Sequence, residues 1–180
     1  MTSSLEDLIR AHTSRPLPTF LNDEVLASTP DDAVEGKIYD FALAKIGGNF
    51  KKEEEIICSL GVGVRSLYVT SLVNHEVCNG GFNQFYFNST GKFALLAPAA
   101  FEFFGANTLA AVVRAANSER ASEAKWMRAF TRIRTMENFM NSYRHTKLRP
   151  FDEQYWQQQE TLASLRIAKI RASPEAFYGT

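Results

Sequence analysis

The thirteen residues from Glu76 to Asn88 constrain the fold more than any other segment of the chain. They combine two adjacent glycines, several amide side chains and four aromatic rings in the run Glu-Val-Cys-Asn-Gly-Gly-Phe-Asn-Gln-Phe-Tyr-Phe-Asn. Gly80 and Gly81 allow a positive φ, and Asn79 is a residue type that can end a helix. The rings need burial, and buried amides need partners, because an unpaired one costs on the order of 1–3 kcal/mol. The sequence therefore predicts a turn locked by its own side chains.

Helical patterning covers most of the N-terminal half. The predicted segments are a short helix over residues 4–11, an irregular arm over 14–22, and helices over about 30–47, 53–60 and 62–78. Thr29 is the expected cap of the second helix, with Asp31 and Asp32 in its first turn, where the helix dipole favours negative charge. The apolar period of 3.6 residues over 62–78 makes that helix the expected centre of the fold.

The C-terminal half is also predicted to be helical. The expected helices span about 93–104, 107–117, 119–143 and 151–172, with Asn107 or Thr108 as a cap. In the third of these, the apolar core positions are expected to be Trp126, Phe130, Ile133 and Met140. No segment alternates like a half-buried strand. The prediction is an all-α, single-domain orthogonal bundle of about seven to nine helices, with an N-terminal arm over 1–29 and the helical domain over 30–178.

Composition narrows the class of protein. Cys58 and Cys78 are the only cysteines among 180 residues, too few for a disulfide framework. The first fourteen residues lack the apolar core of a signal peptide, and no stretch approaches the roughly 18 apolar residues of a membrane span. We therefore expect reduced thiols, no membrane association and a cytoplasmic location.

Residues 76–88 also carry a recognisable pattern, Glu-x-x-Asn-Gly-Gly-Phe-x-Gln-Phe-x-x-Asn. It is met by Glu76, Asn79, Gly80, Gly81, Phe82, Gln84, Phe85 and Asn88. This pattern resembles the signature of the bacterial DNA-mimic protein family, small helical proteins whose best-known members are acidic and occupy the DNA-binding face of a transcription factor. Weaker similarities follow at residues 103–106, 151–156 and 173–177, so the resemblance spans about 30–178. It implies a helical domain that binds a protein and that self-associates as a homodimer.

Charge is unevenly distributed along the chain. The overall net charge is zero, but residues 1–60 carry a balance of −5 and residues 61–180 a balance of +5. A DNA mimic needs dense carboxylates, because its partner's positive site responds to net potential. The candidate acidic partner-binding residues all lie in the N-terminal third: Asp23, Glu24, Asp31, Asp32, Glu35, Asp40, Glu53, Glu54 and Glu55.

A basic region supports a second class of function. Residues 114–149 carry nine basic and three acidic side chains. Its candidate basic patch consists of Arg114, Arg120, Lys125, Arg128, Arg132 and Arg134. Arg128 and Arg132 are one helical turn apart and would share a face that follows phosphates. Nucleic-acid binding is therefore the alternative to protein binding.

An enzyme centred on His75, Glu76 and Cys78 is a third alternative. A zinc-binding His-Glu-x-x-His helix needs its second histidine where this chain has Asn79. Cys78 would need a base from elsewhere in the fold. The more economical interpretation is structural, with a buried thiol and a carboxylate bonded to the turn. The sequence thus predicts a non-enzymatic protein-binding domain with an unidentified partner, without a cofactor or a metal, whose signature residues form scaffolding.

Overall fold

The computed structural model describes residues 16–179, and this part of the chain is built from α-helices. The helices are α1 (Asp23–Ser28), α2 (Asp31–Ile46), α3 (Glu53–Ser59), α4 (Val62–Phe87), α5 (Ala97–Phe103), α6 (Asn107–Thr131), α7 (Met136–His145), α8 (Arg149–Gln158) and α9 (Leu162–Ala172). Short 3₁₀ segments lie at Phe50–Lys52, Ser89–Phe93, Gln159–Thr161 and Pro174–Phe177. Over the described residues the only extended pairing is one bridge between Leu21 and Gly179. The predicted all-α single-domain bundle is confirmed.

Helix α4 is the centre of the bundle, as its apolar period predicts. It packs against α2, α3, α5, α6, α7 and α8. Val64, Leu67, Val73 and Val77 are buried along it. Because so many elements rest on α4, any change in its direction determines where α7 and α8 lie.

The N-terminal helices begin differently from the prediction. Residues 23–28 form α1, which the sequence pattern did not indicate, and the Asn22 Oδ1 caps it by accepting from the Val25 N–H at 2.9 Å. Thr29 does not cap α2, because its hydroxyl donates back to the Val25 carbonyl at 2.6 Å. Helix α2 ends at Gly47 with φ 56°, as expected. The helix predicted over 4–11 lies outside the described residues.

The C-terminal helices are divided at other points than predicted. Helix α6 is continuous from Asn107 through 117–119. The Asn117 side chain does not interrupt it, because its amide bonds to groups outside the helix: it donates to the Ala94 carbonyl and accepts from the Tyr86 hydroxyl, each at 2.7 Å. The break falls at 132–135 instead, where the Thr135 Oγ1 caps α7. Neither Asn107 nor Thr108 caps α6. The last predicted helix is interrupted at 159–161 and forms α8 and α9.

The two ends of the described chain meet. Leu21 and Gly179 exchange two backbone hydrogen bonds, at 2.8 and 3.0 Å. A Cβ on Gly179 would lie 2.5 Å from the Phe41 ring, so the backbone approaches α2 closely there. Leu21 and Leu26 are buried in the same core as α2 and α4. A boundary between an arm and a domain at residues 29 and 30 stays a prediction.

Candidate functional site

The double glycine bends α4 within its length. Gly80 (φ −156°, ψ 27°) and Gly81 (φ 70°, ψ −179°) have non-helical dihedral angles. Only Gly81 requires glycine for conformational reasons, since its φ is positive. A Cβ there would also lie 2.5 Å from the Asp152 Oδ2. The predicted turn is present, and α4 runs on from it to Phe87.

The carboxylate of Glu76 holds the two halves of α4 together. Its Oε2 accepts from the Gln84 Nε2 and from the Asn88 Nδ2, each at 2.8 Å, and its Oε1 accepts from the Thr90 hydroxyl at 3.0 Å. Glu76 is buried, so three donors satisfy a charge that would otherwise be costly to bury. The signature residues Glu76, Gln84 and Asn88 therefore have a structural role.

Side chains from α7 and α8 complete the bend, which is thus not locked by α4 alone. The Asp152 Oδ1 accepts from the Phe82 N–H at 2.6 Å. The Tyr143 hydroxyl donates to the Gly80 carbonyl. The Trp156 indole N–H donates to the Val77 carbonyl at 3.1 Å. The sequence did not single out these three residues, because they lie more than sixty positions away along the chain.

The remaining signature residues divide between core and surface. Phe82 and Phe85 are fully buried, as predicted. Asn83, which occupies a variable position of the signature, is buried and donates to the Ser142 hydroxyl at 2.8 Å. Asn79 is exposed, and its side chain makes no hydrogen bond to the turn within the described residues.

A groove of about 530 Å³ opens beside the bend. We call it the bend groove, and its lining residues are Asn79, Gly80, Gly81, Asn83, Tyr143, Thr146, Arg149, Asp152, Glu153 and Trp156. Burial raises the pKa of Asp152 from 3.8 to about 6, although the hydrogen bond from the Phe82 N–H acts in the opposite direction. The groove thus has a mostly buried carboxylate at its base and two aromatic side chains among its walls.

Next to the groove, α7 exposes a line of apolar side chains. Met136 and Met140 of α7 are 74% and 57% exposed, and Ile133, in the loop that precedes α7, is 63% exposed; we call these three residues the α7 row. Met136, Met140 and Tyr143 follow one another at helical spacing, so the row leads along one face of α7 to the wall of the bend groove. The prediction that Ile133 and Met140 belong to the core is wrong, as is that for Trp126, which is 38% exposed.

The candidate acidic residues do not form an uncompensated acidic face. Three of the nine form ion pairs with basic residues of the same chain: Asp31 with Arg171, Glu35 with Arg166, and Glu53 with Lys92. Asp23 accepts from the Tyr178 hydroxyl at 3.2 Å. Among residues 16–179, no ion pair forms at Glu24, Asp32, Glu54 or Glu55, all of which are exposed. Internal pairing therefore dilutes the negative potential that a DNA mimic needs.

The candidate basic residues are more available. Lys125, Arg128, Arg132 and Arg134 are exposed and form no ion pair within the described residues. Arg114 pairs with Glu102. Arg120 is half-buried with its guanidinium 5.9 Å from the centre of the Tyr86 ring, and desolvation lowers the pKa of Arg120.

The structure does not assemble the enzyme alternative. His75 and Cys78 are both exposed, which corrects the expectation of a buried thiol. His75 lines a different groove from the one at the bend. Partial desolvation raises the pKa of the Cys78 thiol, the direction that disfavours a nucleophilic thiolate. Over residues 16–179 no three His, Cys, Asp or Glu side chains come together as a metal site, and no helix is long and apolar enough to cross a bilayer.

Comparison with known proteins gives one match. The sequence profile described as DMP19-like protein matches residues 59–173. Searches against curated proteins and solved structures return no match. The matched range includes the bend and the helices that form the bend groove and the α7 row.

Proposed function

The chain belongs to the DMP19-like protein family, and on that premise we propose that it acts by binding another protein, without catalysis. The family is of the DNA-mimic type, in which protein interaction is the activity. The proposal covers both a regulatory partner and self-association.

The observation that carries the proposal is the α7 row. Single exposed apolar residues are ordinary on protein surfaces, whereas adjoining ones mark interaction sites. Here Met136, Met140 and Tyr143 are exposed on one face of α7, and the exposed Ile133 lies in the loop just before that helix. Methionine and tyrosine are enriched at protein interfaces, and the flexible methionine side chain adapts to a partner's shape.

The α7 row supports a partner with an apolar contact surface better than it supports phosphate mimicry. A mimic presents carboxylates at phosphate-like density, but ion pairs within the chain compensate three of the nine candidate acids. The exposed acids that remain lie on α1, α2 and α3. We therefore propose that α7 makes the main contact.

The test is affinity capture from the native cell lysate with three proteins: the unaltered chain, the double variant Met136→Gln, Met140→Gln, and the control Leu95→Gln. Leu95 is 87% exposed, so this control removes one exposed apolar side chain at a different place on the surface. The double variant is expected to weaken capture about tenfold or more, because buried anchor side chains dominate interface energetics. Leu95→Gln is expected to leave capture unchanged. Equal capture by all three proteins would reject α7 as the contact.

Sedimentation of the same three proteins separates a partner from a second copy. If the α7 row mediates self-association, the double variant alone loses the dimer. If it binds only a different protein, all three sediment alike while capture differs.

Nucleic-acid binding is the second candidate, favoured by four exposed basic residues that form no ion pair within residues 16–179: Lys125, Arg128, Arg132 and Arg134. This function predicts binding to DNA or RNA that weakens steeply with salt. It also predicts loss of binding in Arg128→Glu, Arg132→Glu, with Arg144→Glu as a control that reverses one charge on α7. Binding that is absent at low salt would exclude it.

A further inference from the structure

The bend groove has the charge and the surfaces of a site for an organic cation. Three charged side chains line it: Arg149, Asp152 and Glu153. Arg149 is engaged by Glu153, with 3.2 Å between its Nε and the Oε1. The lining therefore has a formal charge of −1, and its buried carboxylate is Asp152, which forms no ion pair within residues 16–179, although the charge of Arg149 acts on it from the groove wall.

Two aromatic walls are fixed in place by hydrogen bonds to the bend. The Trp156 N–H is tied to the Val77 carbonyl and the Tyr143 hydroxyl to the Gly80 carbonyl, yet the two side chains remain 45% and 37% exposed. Because the polar atom of each is occupied by backbone, each presents mainly ring surface to the groove. Ring faces held rigidly beside a carboxylate attract cations through the ring quadrupole and the charge together.

Within residues 16–179, no basic side chain lies over the ring of Tyr143 or Trp156. Four basic side chains lie over aromatic rings in the described part of the protein: Lys45 over Phe41, Lys92 over Phe93, Arg120 over Tyr86, and Lys169 over Phe103. None of these rings lines the bend groove. The faces of Tyr143 and Trp156 are thus available to a cation from outside the chain.

We propose that the bend groove binds a guanidinium or alkylammonium group, with the carboxylate of Asp152 as its counter-charge and Tyr143 and Trp156 as its walls. The group is a lysine or arginine side chain presented by the partner, which deepens the proposed function by giving the chemistry of that partner next to the α7 row. The binding of the cationic group itself does not depend on the proposed function.

The position of Asp152 fits a binding role better than a purely structural one. Its Oδ1 accepts from the Phe82 N–H, and a neutral acceptor would serve that bond. Burial penalises the charged form of Asp152 more than the Phe82 N–H and the charge of Arg149 favour it, so the pKa of Asp152 is raised. A cation bound in the groove would offset this penalty.

The experiment uses Trp156 as a fluorescent reporter. The chain has two tryptophans, so Trp126→Phe leaves Trp156 as the sole one. This protein is titrated with N-acetyl-arginine amide, with the neutral isostere N-acetyl-citrulline amide, with an arginine-containing peptide and with tetramethylammonium. We expect saturable changes with the cations, with dissociation constants on the order of millimolar or tighter, and none with the citrulline compound.

Two variants test the assigned residues, each made in the Trp126→Phe background. Asp152→Asn keeps a hydrogen-bond acceptor for the Phe82 N–H but removes the charge, and is expected to weaken arginine binding about fivefold or more. Glu160→Gln, an exposed acid outside the groove, is the control for net charge and should change nothing. Tyr143→Leu removes one wall without changing charge, so it gives a second result if Asp152→Asn folds poorly. Circular dichroism confirms the fold of each.

The outcomes separate cleanly. Equal responses to arginine and citrulline compounds, or undiminished arginine binding in both Asp152→Asn and Tyr143→Leu, would overturn the proposal. Tighter binding of the arginine peptide than of tetramethylammonium assigns the group to a partner's side chain, and the reverse assigns it to a free small cation. The titrations use no partner and leave Met136 and Met140 unaltered. Their failure is therefore distinct from a failure of the proposed function.

Discussion

The bend of α4 and the exposed row on α7 are neighbours in the fold, but they are stabilised in opposite ways. At the bend, buried polar groups are paired: Glu76 accepts three hydrogen bonds, and Asp152 accepts the backbone N–H of Phe82. On α7, apolar side chains lie in solvent, and Met136 is three-quarters exposed. The polar groups at the bend are satisfied within the chain, whereas residues 16–179 leave the row uncovered. This contrast separates scaffold from interaction surface.

The largest effect is expected at Glu76. Glu76→Ala leaves three donors without their acceptor in a buried site, so the free energy of unfolding should fall by about 3–5 kcal/mol. Glu55→Ala, an exposed acid on α3, is the control and should change it by less than about 0.5 kcal/mol. Urea denaturation measures both. A loss below about 1 kcal/mol at Glu76 would mean that the bend does not depend on this carboxylate.

Gly81→Ala comes next. The positive φ and the 2.5 Å approach of the new Cβ to Asp152 predict a loss of about 2–4 kcal/mol. Gly36→Ala is a matched control within α2, where the new Cβ meets nothing within 4 Å. It should stabilise the protein by about 0.5–1 kcal/mol, since alanine favours helix more than glycine. Thermal denaturation of both variants compares them, and shifts of the same sign would contradict this account of the bend.

Asp152→Asn is expected to have a smaller effect that depends on pH. The pKa of Asp152 is raised in the folded protein to about 6 from 3.8. Its stabilising contribution is thus greatest below pH 3.8 and is lost as the pH rises through about 6. Relative to the unaltered chain, Asp152→Asn should gain about 1–2 kcal/mol at pH 8, allowing for solvent screening, and almost nothing near pH 3. Unfolding curves at the two pH values test this, and a loss of stability at pH 8 would contradict it.

The smallest change in stability is expected on α7. Met136→Gln, Met140→Gln should alter the free energy of unfolding by less than about 0.5 kcal/mol, because both side chains are exposed and glutamine is a good helix former. The same denaturation assay applies. A loss above about 2 kcal/mol would show that the row belongs to the core of the single chain.

The same contrast explains what the sequence could predict. The bend was predictable because adjacent glycines, amides and aromatics act locally. The end of α2 at Gly47 was predictable for the same reason. The helix bounds and the burial of residues 118–145 were not predictable. An apolar period shows which face of a helix is apolar, but it does not show which segment packs against that face. Ile133 and Met140 have the spacing of core residues, but nothing in residues 16–179 covers them. The predicted helix end at Asn117 was also wrong, because only the fold shows the hydrogen-bond partners with which Asn117 remains inside α6.

The candidate site was recovered only in part. Glu76, Gly81 and Gln84 stand out locally, but Asp152, Tyr143 and Trp156 reach the bend through tertiary structure. Nothing in their neighbouring residues indicates a shared groove. The candidate acidic residues lie in the N-terminal third of the sequence, but the pairing of two of them with Arg166 and Arg171 depends on how α9 packs against α2.

The most direct test of the central claim is amide hydrogen exchange of the protein alone and bound to its captured partner. The account predicts that protection on binding concentrates at residues 133–145 and extends to the bend at 79–83, while residues 23–59 exchange as in the free protein. Protection over residues 23–59 with α7 unchanged would contradict it and would place the contact on the acidic helices.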